Sequence, residues 1–286
     1  MELRSVAALI EASRKMPIWE AILCSDLEED TPEQRAASLE KMRMLWQVMQ
    51  DSAAGYQRSL SGLSGGDGEK YTQMMSSGKM MCGTYLNDAI ATALKVSECN
   101  ACMKRIVAAP TAGSCGVIPA VLIPYRKEYP DTPEEEMLHA LYVTGGFGNI
   151  IAERASVSGA EAGCQAEIGA ASAMAAAALV YLRGGSPEAC GNACAMALKN
   201  LLGLVCDPVA GLVEVPCVKR NVVGVVNAIS CANMALAGIV SRIPPDEVID
   251  AMAEVGSSMS ADLRETARGG LAATPTGKRI AAERAE

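Results

Sequence analysis

The sequence predicts an all-α protein: a single compact multi-helix domain over residues 1–286, with 1–58 as its helical N-terminal part. Three observations carry this expectation. Half the residues are hydrophobic but only 3% are aromatic, so the core is Ala, Val, Leu, Ile and Met. Ala, Leu and Met favour helices, and the aromatics that favour strands are scarce. Helix-start signatures recur along the chain: TPEQ at 31–34, TPEE at 132–135, SPE at 186–188 and PPD at 244–246. In each, a proline suits the first turn and a neighbouring residue can cap or complement it. Finally, Gly, Ser, Thr, Pro and Cys gather between the apolar periodic stretches, where loops belong.

In order, apolar Val6, Leu9, Ile10, Trp19 and Ile22 fall near helical spacing and predict a first helix over 3–22. An acidic run, 26–30, ends it. Thr31 caps a second helix that should reach Gln57. Residues 61–70 (SGLSGGDGEK) hold four Gly and two Ser and cannot be regular. Their amides and hydroxyls could cradle an anion, with Lys70 and Lys79 adding positive charge. A helix follows over 84–107, containing a Cys99/Cys102 pair that reads as plain core. A second small-residue loop, 110–116 (PTAGSCG), precedes an apolar run at 117–125 and offers further anion donors. The next helix opens at Thr132 and carries His139, the sole histidine. A lone helical histidine is more often structural than catalytic. GGFG at 145–148 reads as a break. An Ala-rich helix is expected over 166–183, then helices over 187–204, 218–242 and 245–257. Residues 264–278 read as irregular, followed by a charged tail to Glu286.

The net charge of −8 disfavours nucleic acid or an anionic membrane as partner. The uncharged run 221–241 is long enough to span a bilayer, but its three asparagines make it a core helix instead. Eleven cysteines without a secretory pattern point to a reducing cytoplasm. Most of them read as small hydrophobes. Three differ. Cys164, Cys206 and Cys217 sit at helix boundaries beside Gly or Pro. Cys206 and Cys217 bracket CDPVAGLVEVPC, a stretch that Pro208 and Pro216 keep from being helical. Thiolates suit zinc or iron–sulfur clusters, and with one histidine a mixed Cys/His zinc site is a poor candidate. Spacing alone leaves the metal open.

The runs PTAGSCG (110–116), GAEAGCQAE (159–167), LVCDPVAGLVEVPCVKRN (204–221) and LAATPTG (271–277) resemble the α subunit of bacterial iron–sulfur-dependent L-serine dehydratases. The resemblance covers nearly the whole chain. It implies an all-α catalytic fold and a [4Fe–4S] cluster on Cys164, Cys206 and Cys217. It implies conversion of L-serine to pyruvate and ammonia without pyridoxal phosphate, with a monovalent cation as a further cofactor in some relatives. One cluster iron lacks a protein ligand and serves as Lewis acid. The resemblance further implies that Ser64, Gly65, Gly66 and Asp67, with Thr111, Ala112, Gly113 and Ser114, hold the substrate carboxylate. Arg220 is read equally as an assisting group or a structural ion-pair partner. A β-chain partner is expected, with homo-oligomers as a further option. The general base is unassigned, its two sources being that partner and His139. A pyridoxal-phosphate dehydratase would need alternating strands and helices, against the helical reading. An iron–sulfur cysteine desulfidase, or a cluster-bearing subunit inactive without its β chain, stays open.

Overall fold

The alanine-rich segment forms the centre of the molecule. The structure, a computed structural model, describes residues 3–58 and 62–285. Ser61, which opens the first Gly-rich stretch, and Glu286, which ends the charged tail, lie outside the described residues. Among the described residues, all regular structure is helical except one isolated parallel bridge between Cys206 and Arg264. The all-α expectation is met.

The chain starts with α1 (Val6–Ala12), capped by the Ser5 hydroxyl, and α2 (Ile18–Asp26). One helix was expected here. Pro17 divides it, because proline at ψ 144° cannot continue a helix but can precede one. Helix α3 (Pro32–Ala54) begins as predicted, with Thr31 accepting from the Gln34 amide. A short α4 (Asp67–Met75), unforeseen by the sequence reading, starts directly after Gly66, whose φ of 77° suits glycine. Then come α5 (Thr84–Ala101) and α6 (Val117–Glu128).

Helix α7 (Glu134–Arg154) runs straight through the GGFG sequence that was expected to break it. Gly146 and Gly148 are contact points. A Cβ on Gly146 would lie 2.5 Å from Ile22 Cδ1, and one on Gly148 would lie 2.8 Å from Met174 Cε. Helix propensity lost at glycine is offset by close helix–helix approach.

A single turn, α8 (Gly159–Ala162), leads through a π-helical stretch at Gln165–Gly169 into α9 (Ala170–Leu182). Residues 170–180 of α9 are all buried. A helix apolar all round belongs at a core, and α9 packs against α6, α7, α10 (Pro187–Lys199) and α11 (Cys217–Leu236). The stretch Gln165–Leu182 is long and apolar enough to cross a membrane, but 83% of it is buried within the protein. The apolar helix expected over 218–242 ends at Leu236, and only one face is buried: Gly224, Val225, Ala228 and Cys231 pack inward, while Val223 and Val226 are exposed. Helix α12 (Pro245–Ser258) follows, and α13 (Pro275–Ala285) takes in the end of the 264–278 stretch that read as irregular and most of the charged tail.

Candidate metal centre

At the N-terminal end of the central helix, the chain gathers thiols. Cys164 follows Gly163, whose φ is 74° and where a Cβ would lie 2.8 Å from the Leu204 carbonyl. The Gln165 amide donates to that same carbonyl, and the Gln165 side chain accepts from the Gly203 amide. These bonds bring the segment before Cys206 against the turn that holds Cys164. Cys206 is fixed by its own backbone: its amide donates to Leu263, and its carbonyl accepts from Glu265. The loop from Cys206 is closed by a bond from the Val209 amide to the Val215 carbonyl, and Cys217 is the first residue of α11.

All three thiols are buried. The sulfurs of Cys164 and Cys206 and a carboxylate oxygen of Glu167 lie within 4.8 Å of one another. A hydrogen bond with Cys164 is the main cause that holds the Cys206 thiol proton well above its usual range, with burial next. Burial, then the neighbouring Cys164 and Glu167, push the Cys217 thiol up to about 12. Cys217 thus lies within electrostatic reach of Cys164 and Glu167 but outside their close grouping. Closely placed soft thiols suit a metal that displaces their protons.

Glu167 is the residue the sequence reading missed, although it stands three positions after Cys164 within a quoted run. Its Oε1 accepts from Thr111 Oγ1 at 2.7 Å, and its Oε2 lies 3.8 Å from Cys164 Sγ and 3.9 Å from Cys206 Sγ. Burial raises its pKa. Two glycines make room for it. A Cβ at Gly113 would stand 2.9 Å from Oε1; one at Gly159 would stand 2.6 Å from Oε2 and 3.1 Å from Cys206 Sγ.

Arg220, one turn into α11, places Nη2 2.8 Å from Asp207 Oδ1 and donates from Nη1 to the Val205 carbonyl at 2.7 Å. Of the two readings of Arg220, the ion-pair one has its partner in Asp207, the neighbour of Cys206.

The two small-residue loops are placed differently. Thr111, Ala112, Gly113 and Ser114 form a single 3-10 turn against Glu167, with Thr111 and Ser114 capping each other. Asn221 ties this turn to α11, its Nδ2 donating to the Gly113 and Cys217 carbonyls and its Oδ1 accepting from the Gly116 amide. Ser64, Gly65, Gly66 and Asp67 lie beside the segment leading into Cys217. The Ser64 amide and hydroxyl both donate to Glu214, and the Asp67 amide donates to Glu98. Those donors already face protein carboxylates, so the amides of Gly65 and Gly66 are the ones left over from these bonds. Lys70 pairs with Asp67.

His139 is elsewhere. It stacks on Trp19 at 3.7 Å and reaches Tyr181 in the last turn of α9. Cys164 precedes the same helix by 17 residues from Tyr181, roughly 25 Å at helical rise. Cys99 is buried with its thiol 3.4 Å from the Ser52 carbonyl, and Cys190 and Cys194 are buried within α10.

An all-helical domain with buried thiols at the head of its central helix defines a class of candidate metalloenzymes. Within that class, residues 13–272 match the family described as serine dehydratase alpha chain, and the chain belongs to that family. Among its relatives, the "Probable L-serine dehydratase, alpha chain" of Bacillus subtilis is 47% identical over 97% of this chain and 93% of its own length. The "L-serine dehydratase, alpha chain" of Peptoniphilus asaccharolyticus is 50% identical over 72% of this chain and 70% of its own. "L-serine dehydratase TdcG" of Escherichia coli is 48% identical over 63% of this chain but only 40% of its own length.

Proposed function

We propose that this chain is the catalytic α chain of an L-serine dehydratase that works with a separate β chain and carries an iron–sulfur cluster on Cys164, Cys206 and Cys217. The single observation that carries this reading is the meeting of the buried Cys164 and Cys206 sulfurs with the glycine-lined Glu167 carboxylate at the head of α9, Cys217 being within their electrostatic reach. The donor set fits: soft sulfurs, held by backbone bonds at element ends, with the arginine cation alongside. When bound, a [4Fe–4S] cluster with one iron free of protein ligands supplies Lewis acidity for the departing hydroxide.

The protein's own part is orientation. In this reading the turn at 111–114 and the amides of Gly65 and Gly66 receive the substrate carboxylate. Thr111 fixes Glu167 beside the thiols. Arg220 holds positive charge at Cys164 and keeps Asp207, the neighbour of Cys206, in place. Loss of the α-proton and hydroxyl gives aminoacrylate, which tautomerises, takes up water and releases ammonia to leave pyruvate. The base that takes the α-proton belongs in this reading to the β chain, since His139 lies at the far end of α9. The names of the relatives, which include the words alpha chain, support the two-chain arrangement. A cytoplasmic setting accords with the reduced thiols the site requires.

The test is anaerobic reconstitution of the chain with iron and sulfide, followed by pyruvate assay on L-serine with and without the β chain. Pyruvate formed only by the reconstituted protein supports the reading; equal activity in the metal-free protein contradicts it.

A further inference from the structure

Two buried carboxylates near the site have no part in the reading so far. Glu98 and Glu214 are 2% and 4% exposed. A buried carboxylate is costly unless hydrogen-bonded, and both are bonded to the same loop. Glu214 Oε2 accepts from the Leu63 amide at 2.8 Å, the Ser64 amide at 2.8 Å and the Ser64 hydroxyl at 3.2 Å. Glu98 Oε1 accepts from the Asp67 amide at 2.7 Å, and its Oε2 from the Tyr56 hydroxyl at 2.5 Å.

Glu214 stands three residues before Cys217, and its carbonyl accepts from Val218 in the first turn of α11. Lys219, two residues after Cys217, pairs with Asp67 at 2.6 Å. The short segment that carries the third thiol therefore grips the loop at both ends. Between the grips lie Gly65 and Gly66, at φ 143° and 77°. Glycine makes such a stretch permissive and entropically loose, so something outside the loop must fix its shape. The Lys219 contact is exposed and weak. The Glu214 bonds are buried and charge-assisted, and thus the stronger hold.

We propose that Glu214 is a positioning residue. It locks the 63–67 loop to the Cys217 segment, so that the loop's remaining donors keep a fixed place relative to the third thiol. The inference rests on the reading of this loop as part of the substrate site, and it names what couples that site to the metal centre. A substrate carboxylate would then meet an ordered loop, and loosening the loop would weaken binding before it weakened chemistry.

The experiment compares wild type, Glu214→Ala and Glu214→Gln in two ways. Hydrogen exchange on the metal-free chain reads the Leu63 and Ser64 amides. Steady-state kinetics on the reconstituted enzyme with its β chain read KM for L-serine against kcat, alongside iron and sulfide content. Glu214→Ala should speed exchange at both amides and raise KM by about tenfold or more, the scale of one lost charged-group hydrogen bond. The change in kcat should be much smaller, and iron content should match wild type. Glu214→Gln, which keeps one acceptor oxygen, should recover part of both effects. Unchanged exchange in Glu214→Ala overturns the proposal. So does a parallel fall in kcat, iron content and overall stability that Glu214→Gln does not rescue. If wild type itself fails to turn over serine, the functional reading fails, and the exchange data still decide whether Glu214 holds the loop.

Discussion

Replacing Asn221 with alanine should destabilise the metal-free chain by about 2–6 kcal/mol. Asn221 is 1% exposed, and its side-chain amide makes three hydrogen bonds. The Cys217 carbonyl is in the first turn of α11, where the helix offers it a second partner. The Gly116 amide and Gly113 carbonyl belong to the 110–116 loop and depend on Asn221 directly. Stranding a buried polar group costs about 1–3 kcal/mol, and two such groups give the range stated. Domains of this kind are stable by only about 5–15 kcal/mol, so the change should be large on the scale of the whole protein. Urea unfolding under anaerobic, reducing conditions measures it as a lowered midpoint at constant slope. Asn221→Asp keeps the acceptor for Gly116 but turns a charged oxygen toward two carbonyls, and it should cost at least as much. A loss under about 1 kcal/mol for Asn221→Ala would show that the loop groups find other partners. The idea that Asn221 braces the 111–114 turn against α11 would then be wrong.

Further outcomes follow from other parts of the molecule. Gly146→Ala should lower stability by about 1–3 kcal/mol through overpacking on Ile22, whereas Gly145→Ala, with nothing within 4 Å of its Cβ, should be neutral or slightly stabilising; thermal melts of the pair decide. Burial holds the His139 pKa below its ordinary value of 6.5, with Glu136 opposing. The folded chain then takes up this proton later than the unfolded chain as pH falls. Stability from this group is lost as pH drops through about 6.5 toward the lowered value. His139→Gln should flatten that part of a stability–pH curve while leaving serine turnover near wild type. Arg220→Met strands Asp207, whose side chain is 4% exposed, and should cost about 3–5 kcal/mol; adding Asp207→Leu should restore much of it, as a double-mutant cycle would read.

Helix starts were the most legible part of the fold, because capping chemistry is local. Thr31, Ser186 and Pro245 mark real beginnings for that reason. Interior glycines were misread because their role is tertiary: Gly146 and Gly148 look like breaks until Ile22 and Met174 are seen against them. Pro17 shows the opposite error, a local signal overridden by an apolar spacing that continued past it. At the site, Cys164, Cys206 and Cys217 were singled out by position beside Gly and Pro, and the chain brings the first two together with Glu167. Glu167 was not, since nothing in a sequence says that a glutamate one turn from a cysteine turns its carboxylate toward the thiols; Gly113 and Gly159 create its space from 54 and 8 residues away. The 64–67 loop was recognised as a donor set, but its orientation was not legible. It depends on Glu214 and Glu98, which are remote in sequence and carry no motif.

The most direct test of the metal-centre reading is the absorbance and paramagnetic signal of the anaerobically reconstituted chain. Wild type should be compared with Cys164→Ala, Cys206→Ala and Cys217→Ala, and with Cys190→Ala as a buried control. The account predicts that each of the first three loses most of the iron–sulfur signal and bound iron, while Cys190→Ala matches wild type. A Cys206→Ala chain that kept the full signal would contradict it.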